Sequence, residues 1–413
     1  MRNASPLLLL LIAYGAFIVI GAPDGVLNIA WTYMQGTFEV SLSDIGVLLG
    51  VSMAGRLLTT FISGPVSVRL GMGPFLLIGA LLIGGGLLGY VLAPSWIMLL
   101  IASFVAAMGA GVIDAGLNTF VAANYSAGPL NWLHAAFGIG VTLGPPIATF
   151  AIFNLDGVLI PGLDGWRAGY LIVAALPLAL IVALLLTLRS WTIREPESDL
   201  THLPAGSQRG VSLVETLRIP MALLMMALFF VYGGAEIGAG QLSNTLFTEG
   251  RGVDQETATF WISMYWGTFT VGRLLMGAIA DRISNTLILR ISMIGGVIGA
   301  ALLWLNVTEI VGFIGLALMG FAFAPIFAVL IAETPRRVGR RHAANAIGFQ
   351  VGVTGLGGAI LSGIVGVLAE STGVEAIGLS LCVITLMVLA LHEYILRRDA
   401  QAHVDIALAS SGD

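Results

Sequence analysis

The chain has 413 residues, of which 57% are hydrophobic and only 10% charged. Soluble domains carry about a quarter of their residues as Asp, Glu, Lys or Arg, so this composition excludes an ordinary water-soluble fold and indicates a chain that crosses a bilayer repeatedly. The formal net charge of −5 decides nothing, because acids in translocated loops contribute little to orientation.

A helix needs about 20 apolar residues to cross hydrocarbon. Twelve such segments follow one another, near 7–34, 44–69, 73–93, 95–124, 130–154, 166–189, 220–247, 254–281, 285–306, 308–334, 340–369 and 373–397. They are long apolar runs without the alternation of outer-membrane strands, so the expected fold class is an all-α polytopic membrane protein of twelve transmembrane helices. The first run lacks a convincing small-residue cleavage site and reads as a retained helix.

That first helix contains "GAPDGVLNIAW" at 21–31. Asp24, Asn28 and Trp31 fall at i, i+4, i+7 and share one face. Pro23 removes a backbone donor, which predicts local weakening where freed backbone groups and Asp24 face solute. Helix 2 carries Arg56. Helix 4 repeats the i, i+4 arrangement with Asp114 and Asn118, and helix 5 places Asn131 and His134 one turn apart.

A charge at a helix centre costs about 2.5–3.5 kcal/mol on insertion scales and is tolerated facing a protein interior or watery cavity. The polar stretch 194–218 then separates two sets of six segments. Beyond it, helix 7 carries Glu236, Gln241 and Asn244, and helix 8 carries Arg273 behind a Trp261, Tyr265, Phe269 stripe. Helix 10 is decorated with Phe321, Phe323 and Phe327, and helix 11 adds Asn345, Gln350 and Thr354. Three acids, Asp24, Asp114 and Glu236, meet two guanidinium groups, Arg56 and Arg273. If every pair forms, one carboxyl is left over, and that surplus acid is the proton-carrier candidate. Arg keeps its proton at accessible pH, so neither Arg is a carrier.

Each feature also has a plainer reading. Arg56 and Arg273 can simply hold helices together, the amides can make helix-to-helix hydrogen bonds worth under about 1 kcal/mol, His134 can be a buried hydrogen-bonded histidine, and the aromatic stripes can be packing. Cys382 is the single cysteine, which excludes an internal disulfide and argues against a cysteine metal cluster.

All 18 basic residues are Arg. Placing the N-terminus inside leaves only Arg167 and Arg251 on the outer side, the bias that sets topology, so both termini are expected in the cytoplasm of a plasma or inner membrane. "RRVGRRH" at 336–342 reads as an anchor against anionic headgroups and not as a nucleic-acid site.

The halves resemble each other at offsets of 212 to 217: "GRLL" at 55–58 recurs at 272–275, "FGIGVT" at 137–142 matches "FQVGVT" at 349–354, and "GAPD" at 21–24 meets "GGAE" at 233–236. This is the mark of a six-plus-six parallel repeat. It predicts an N-terminal bundle at 1–189, a cytoplasmic linker at 190–219, a C-terminal bundle at 220–397 and a tail at 398–413.

"GAIADRISNTLILR" at 277–290 resembles the signature between the second and third helices of each half of the major facilitator superfamily, with Asp281 and Arg282 at its acidic and basic positions. The first half departs from it, since "SGPVSVRLGMG" at 63–73 has Val68 where the acid belongs. "IDAGLNTF" at 113–120 and "NWLHAAFGIGVTLGPP" at 131–146 resemble the fucose:proton symporter group. The resemblance implies two pseudo-symmetric six-helix bundles in which helices 1, 4, 7 and 10 line a central path. It also implies acids in helices 1 and 4 that serve sugar binding and proton coupling, positions that Asp24 and Asp114 fit.

The expected function is therefore proton-coupled symport of a small hydroxyl-rich solute, a monosaccharide by preference, through alternating access. Asp24 and Asp114 are expected to carry coupling. Asn28, Asn118, Asn131, His134, Glu236, Gln241, Asn244, Trp261, Tyr265 and Gln350 are expected to contact solute, with Arg56, Arg273, Asp281 and Arg282 structural or gating. An efflux antiporter for amphipathic compounds and a solute receptor that moves nothing are the alternatives. No nucleophile triad, zinc motif or phosphate loop stands in a plausible context, so no enzyme, cofactor or metal is expected. The expected partners are solute, proton and membrane lipid, without nucleic acid, and the chain is expected to act as a monomer.

Overall fold

The computed structural model describes residues 4–41, 44–158, 161–193 and 211–410, with side chains as far as Gln401. The middle of the expected linker, 194–210, and the end of the expected tail lie outside the described residues. Contacts divide the chain into two compact units, Met1–Leu213 and Val214–Asp413.

Unit 1 holds α1 (Pro6–Phe38), α2 (Ile45–Leu70), α3 (Met72–Leu92), α4 (Trp96–Asn124), α5 (Ala127–Asn154) and α6 (Gly165–Thr187). The short α7 (Leu213–Leu217) leads into unit 2, which holds α8 (Pro220–Thr245), α9 (Gln255–Ile279), α10 (Asn285–Leu305), α11 (Glu309–Phe323), α12 (Ile326–Val338), α13 (Arg340–Thr372) and α14 (Ala376–Ser410). All the secondary structure among the described residues is helical.

Among the described residues, eleven helical segments are long and apolar enough to cross a membrane, with α11 and α12 together making one of them. The remaining expected segment is α9, long enough at 25 residues. Its apolar content is diluted by Gln255, Glu256, Thr257, Thr259, Ser263, Thr268, Thr270 and Arg273.

Local signals set the helix ends. Ser5 caps α1 by accepting from the Leu8 N–H at 3.2 Å, with Pro6 in the first turn where its missing N–H costs nothing. Asp254 caps α9 by accepting from the Thr257 N–H at 2.9 Å, and these hydrogen bonds to its charged form hold the Asp254 carboxyl below the usual Asp range.

The sequence expectation at Pro23 is corrected: α1 runs through it unbroken, so only the carbonyl one turn back loses its donor. The break falls at Ala324–Pro325, inside what the sequence presents as one span near 308–334. There the Phe323 carbonyl accepts from the Tyr232 hydroxyl at 3.0 Å.

Glycine lets helices approach without side chains between them. In unit 1 a β-carbon on Gly21 or Gly25 would strike the Phe137 or Val141 carbonyl of α5, and one on Gly140 or Gly144 would strike Ile18 or Gly25 of α1. Unit 2 contains the corresponding crossing: Gly233 of α8 lies against the Thr354 carbonyl, and Gly357 of α13 lies against the Phe230 carbonyl. Gly21 and Gly233 stand in the "GAPD" and "GGAE" stretches that mark the repeat.

Candidate functional site

In unit 1, α2, α4 and α5 bring four polar side chains into one chain of contacts. The Arg56 guanidinium lies 3.9 Å from Asp114 Oδ2. Asn118, one turn along α4, donates from Nδ2 to Asp114 Oδ1 at 2.8 Å and to the Asp114 carbonyl at 2.9 Å. Its Oδ1 lies 3.1 Å from His134 Nε2. Asn118 is fully buried and His134 is 8% exposed. Both are hydrogen-bonded inside the unit. The His134 ring also meets Phe17 of α1 edge-on, with centroids 5.2 Å apart.

Asp24 sits on α1 seven residues after Phe17 and seven before Trp31, so the three share a stripe. Phe17 touches α5 through His134, and Trp31 touches the start of α4 through Trp96, centroids 5.9 Å apart. Both aromatics are buried, whereas Asp24 and Asn28 are exposed within the unit. Arg56 of α2 and Tyr90 of α3 lie within electrostatic reach of Asp24. Among the described residues no hydrogen bond or ion pair reaches the Asp24 carboxylate. Asp114 takes the available guanidinium, and Asp24 is the surplus acid. The remaining polar residue of α5, Asn131, is fully buried and donates to the Ala127 carbonyl at 2.9 Å, leaving its Oδ1 without a hydrogen bond.

Unit 2 pairs its charges differently. Arg273 of α9 lies 3.9 Å from Glu236 of α8, with both side chains nearly buried, and its guanidinium stands 4.1 Å from the centre of the Phe269 ring. Glu236 occupies the repeat position of Asp24, so the first-helix acid is paired in unit 2 and unpaired in unit 1. The Tyr265 hydroxyl donates to the Glu236 carbonyl at 2.7 Å and its ring is fully buried, which makes it a strut between α8 and α9. Trp261 stacks on Phe313 with centroids 4.9 Å apart and planes 11° apart. Gln241 is exposed on α8. Asn244 accepts from Gln255 at 3.1 Å across the α8–α9 turn. Gln350 is fully buried, accepts from Thr334 at 2.9 Å and leaves its Nε2 without a hydrogen bond. Asp281 and Arg282 are exposed in the 3-10 turn after α9.

The structure also gathers a cluster around Glu333, which the sequence reading passed over, and it corrects the headgroup-anchor expectation for Arg337, whose side chain is buried against Glu333. Glu333 on α12 accepts from Asn285 at 2.7 Å and from Arg336 at 2.7 Å, and it pairs with the buried Arg337 at 3.4 Å. Arg336 reaches on to Asp399 at 3.3 Å. The available signal was the acid-to-Arg spacing of i, i+3 and i+4 in "ETPRR". Arg167 and Arg251 also have structural work. Arg167 pairs with Asp164 and donates to the Val91 and Ala93 carbonyls at 2.6 and 2.8 Å. Arg251 forks onto Glu375 at 2.9 and 3.0 Å and reaches the Leu303 carbonyl. No group of three or more His, Cys, Asp or Glu placed to hold a metal ion occurs among the described residues.

The chain is 20% identical over 399 residues to bypass of stop codon protein 6 of Saccharomyces cerevisiae, covering 88% of this chain and 77% of that protein. It is 22% identical over 308 residues to sodium-dependent glucose transporter 1A of Mus musculus, covering 69% and 72%. Its fold matches the crystal structure of the E. coli fucose:proton symporter FucP with a TM-score of 0.76 at 16% identity, covering 95% of this chain and 99% of that one. The model of the major facilitator superfamily matches residues 13–360 and again 224–410. With matches spanning nearly all of its length, a helical fold and multiple membrane-crossing segments, the chain belongs to the major facilitator superfamily, a family of transporters and not of enzymes.

Proposed function

We propose that this transporter carries out proton-coupled symport of a small hydroxyl-rich solute, a monosaccharide by preference, with Asp24 as the proton carrier. The observation that carries the reading is the uneven pairing of the three membrane acids. Asp114 and Glu236 each face an Arg at 3.9 Å, while Asp24 is exposed on its stripe with no hydrogen bond or ion pair among the described residues. A carboxyl in that position can take up a proton from water. Arg56, within electrostatic reach, can compensate its charge when the proton leaves, since a nearby guanidinium favours the ionised form of a carboxyl. Asp114 then serves as the alternative seat for Arg56, so coupling depends on both acids.

Asn28 and Gln241, exposed one to two turns from Asp24 and Glu236, are the first solute contacts in this reading. Asn131 and Gln350 each keep one amide atom unspent and are further candidates. α9 counts as the twelfth span in this scheme, its polar residues tolerated because they face protein or solute instead of lipid. The twelve spans form two pseudo-symmetric six-helix bundles at 1–189 and 220–397, joined by the cytoplasmic segment 190–219. Both termini are cytoplasmic in a plasma or inner membrane. The names of the mouse glucose transporter and the bacterial fucose symporter support a sugar as solute.

The mouse relative's name also supports a second reading, sodium in place of the proton. Uptake of labelled monosaccharides into proteoliposomes, driven in turn by an inward proton gradient and an inward sodium gradient, separates the two. Concentrative uptake under the proton gradient alone is expected. Uptake that follows sodium assigns the coupling ion differently, and no sugar uptake under either gradient overturns the reading. Asp114→Asn should abolish accumulation, and its persistence in that variant contradicts the role given to the Arg56–Asp114 pair.

A further inference from the structure

We infer that His134 is a positioning residue, not a solute ligand: by donating Nε2–H to Asn118 it locks the amide that aims the Asp114 carboxylate at Arg56. The inference rests on the symport reading for its consequence in transport, and on geometry alone for the wiring.

The wiring follows from the valence of one amide. The Asn118 NH2 group has two hydrogens, and both have acceptors, the Asp114 Oδ1 at 2.8 Å and the Asp114 carbonyl at 2.9 Å. Turning the amide over would set its carbonyl oxygen against those two acceptors and leave three oxygens facing one another. The orientation is therefore fixed, and Asn118 Oδ1 points at His134 Nε2, 3.1 Å away. An oxygen without hydrogens can only accept, so the imidazole presents Nε2–H. Every link in the chain from His134 through Asn118 to Asp114 donates toward the carboxylate.

Burial makes the arrangement stiff. Asn118 is fully buried and His134 is 8% exposed, with its ring set edge-on against Phe17. With the Oδ1 side of Asp114 held by the amide, its Oδ2 faces Arg56 at 3.9 Å. The charged or titratable groups on the helices around the cluster are Asp24 on α1, Arg56 and Arg69 on α2, Tyr90 on α3, and Arg167 and Tyr170 on α6, along with the tyrosines of α1. α5 has no ionisable side chain besides His134. Removing the His134 donor leaves the buried Asn118 Oδ1 unsatisfied and the amide held only by its two bonds to Asp114, so the amide moves with Asp114 instead of anchoring it to α5. Asp114 then loses its fixed aim, and Arg56 loses its defined alternative seat.

Two measurements on the full-length protein test this separately. In 15N NMR of histidine-labelled protein, the resonances lost in His134→Gln identify His134. The inference expects them to report Nε2–H in the wild type and a mixed tautomer population in Asn118→Leu. An Nδ1–H tautomer in the wild type, or no change in Asn118→Leu, overturns it whether or not any sugar is transported. In proteoliposomes with a transported monosaccharide, His134→Leu should lower gradient-driven accumulation at least fivefold while counterflow keeps its KM within twofold. His134→Gln, whose amide still offers an N–H, should restore accumulation. A counterflow KM raised tenfold in both variants makes His134 a solute contact and ends the inference. Absence of transport in the wild type removes the symport reading and leaves the wiring to the NMR result.

Discussion

Arg56 faces one oxygen of Asp114 at 3.9 Å while Asn118 holds the other at 2.8 Å, so the carboxylate is held from both sides by groups from two helices. The contact with Arg56 is long for an ion pair and has no hydrogen bond in it, as suits a partner that exchanges. Removing Arg56 takes the guanidinium away from Asp114 while the Asn118 amide stays on its other oxygen. The Arg56 side chain is 31% exposed, so Arg56→Leu should cost less than the roughly 3–5 kcal/mol of breaking a fully buried pair. The thermal midpoint in detergent should fall, and Arg56→Leu combined with Asp114→Asn should recover most of the loss. A double variant no more stable than Arg56→Leu removes the pair from the account.

The α1–α5 crossing depends on missing side chains. Gly144→Val should place methyl groups against the Gly25 backbone and cost at least the roughly 1–3 kcal/mol of overpacking, read as lost yield of folded protein. Gly15→Ala on the same pair of helices meets open space and should be nearly neutral. Equal yields from the two variants would show that the crossing tolerates separation.

Asp254, the cap residue that precedes α9, gives a pH signature. Its carboxyl is held below the usual value of about 3.9 by the Thr257 N–H and hydroxyl. A lowered folded value means that its contribution is fully present above about pH 4 and is lost as pH falls through the folded value. Wild type should therefore melt above Asp254→Ala at pH 6, and the gap should close as the pH is lowered below the usual Asp range. A gap that is constant with pH would show that the capping bonds do not favour the charged form.

Much of the fold was legible because apolar run length is a direct consequence of bilayer thickness. The glycine crossings were legible only as a repeat, since "GAPD" and "GGAE" do not say which helix they meet. The α11–α12 break was missed because proline has two outcomes in a membrane helix. Pro23 stays inside α1, whereas α11 ends two residues before Pro325, with the Tyr232 hydroxyl satisfying the Phe323 carbonyl. At the site, the count of three acids against two Arg residues showed that one carboxyl would be left over. Which one depends on tertiary placement: the repeat would pair Arg56 with Asp24 as it pairs Arg273 with Glu236, and Asp114 takes Arg56 instead. Glu333 was passed over because it lies at the end of an apolar segment, where an acid reads as loop, and Arg337 was read with its neighbours as a headgroup anchor because sequence does not show that Glu333 buries it.

The most direct test is proton movement on adding solute to Asp24→Asn in proteoliposomes. A transported monosaccharide should make the external medium of wild-type vesicles more alkaline as protons enter with it. Asp24→Asn should give no pH change and no accumulation while still exchanging labelled solute in counterflow. Solute-driven alkalinisation of wild-type size in Asp24→Asn would contradict the assignment of the unpaired carboxyl as proton carrier.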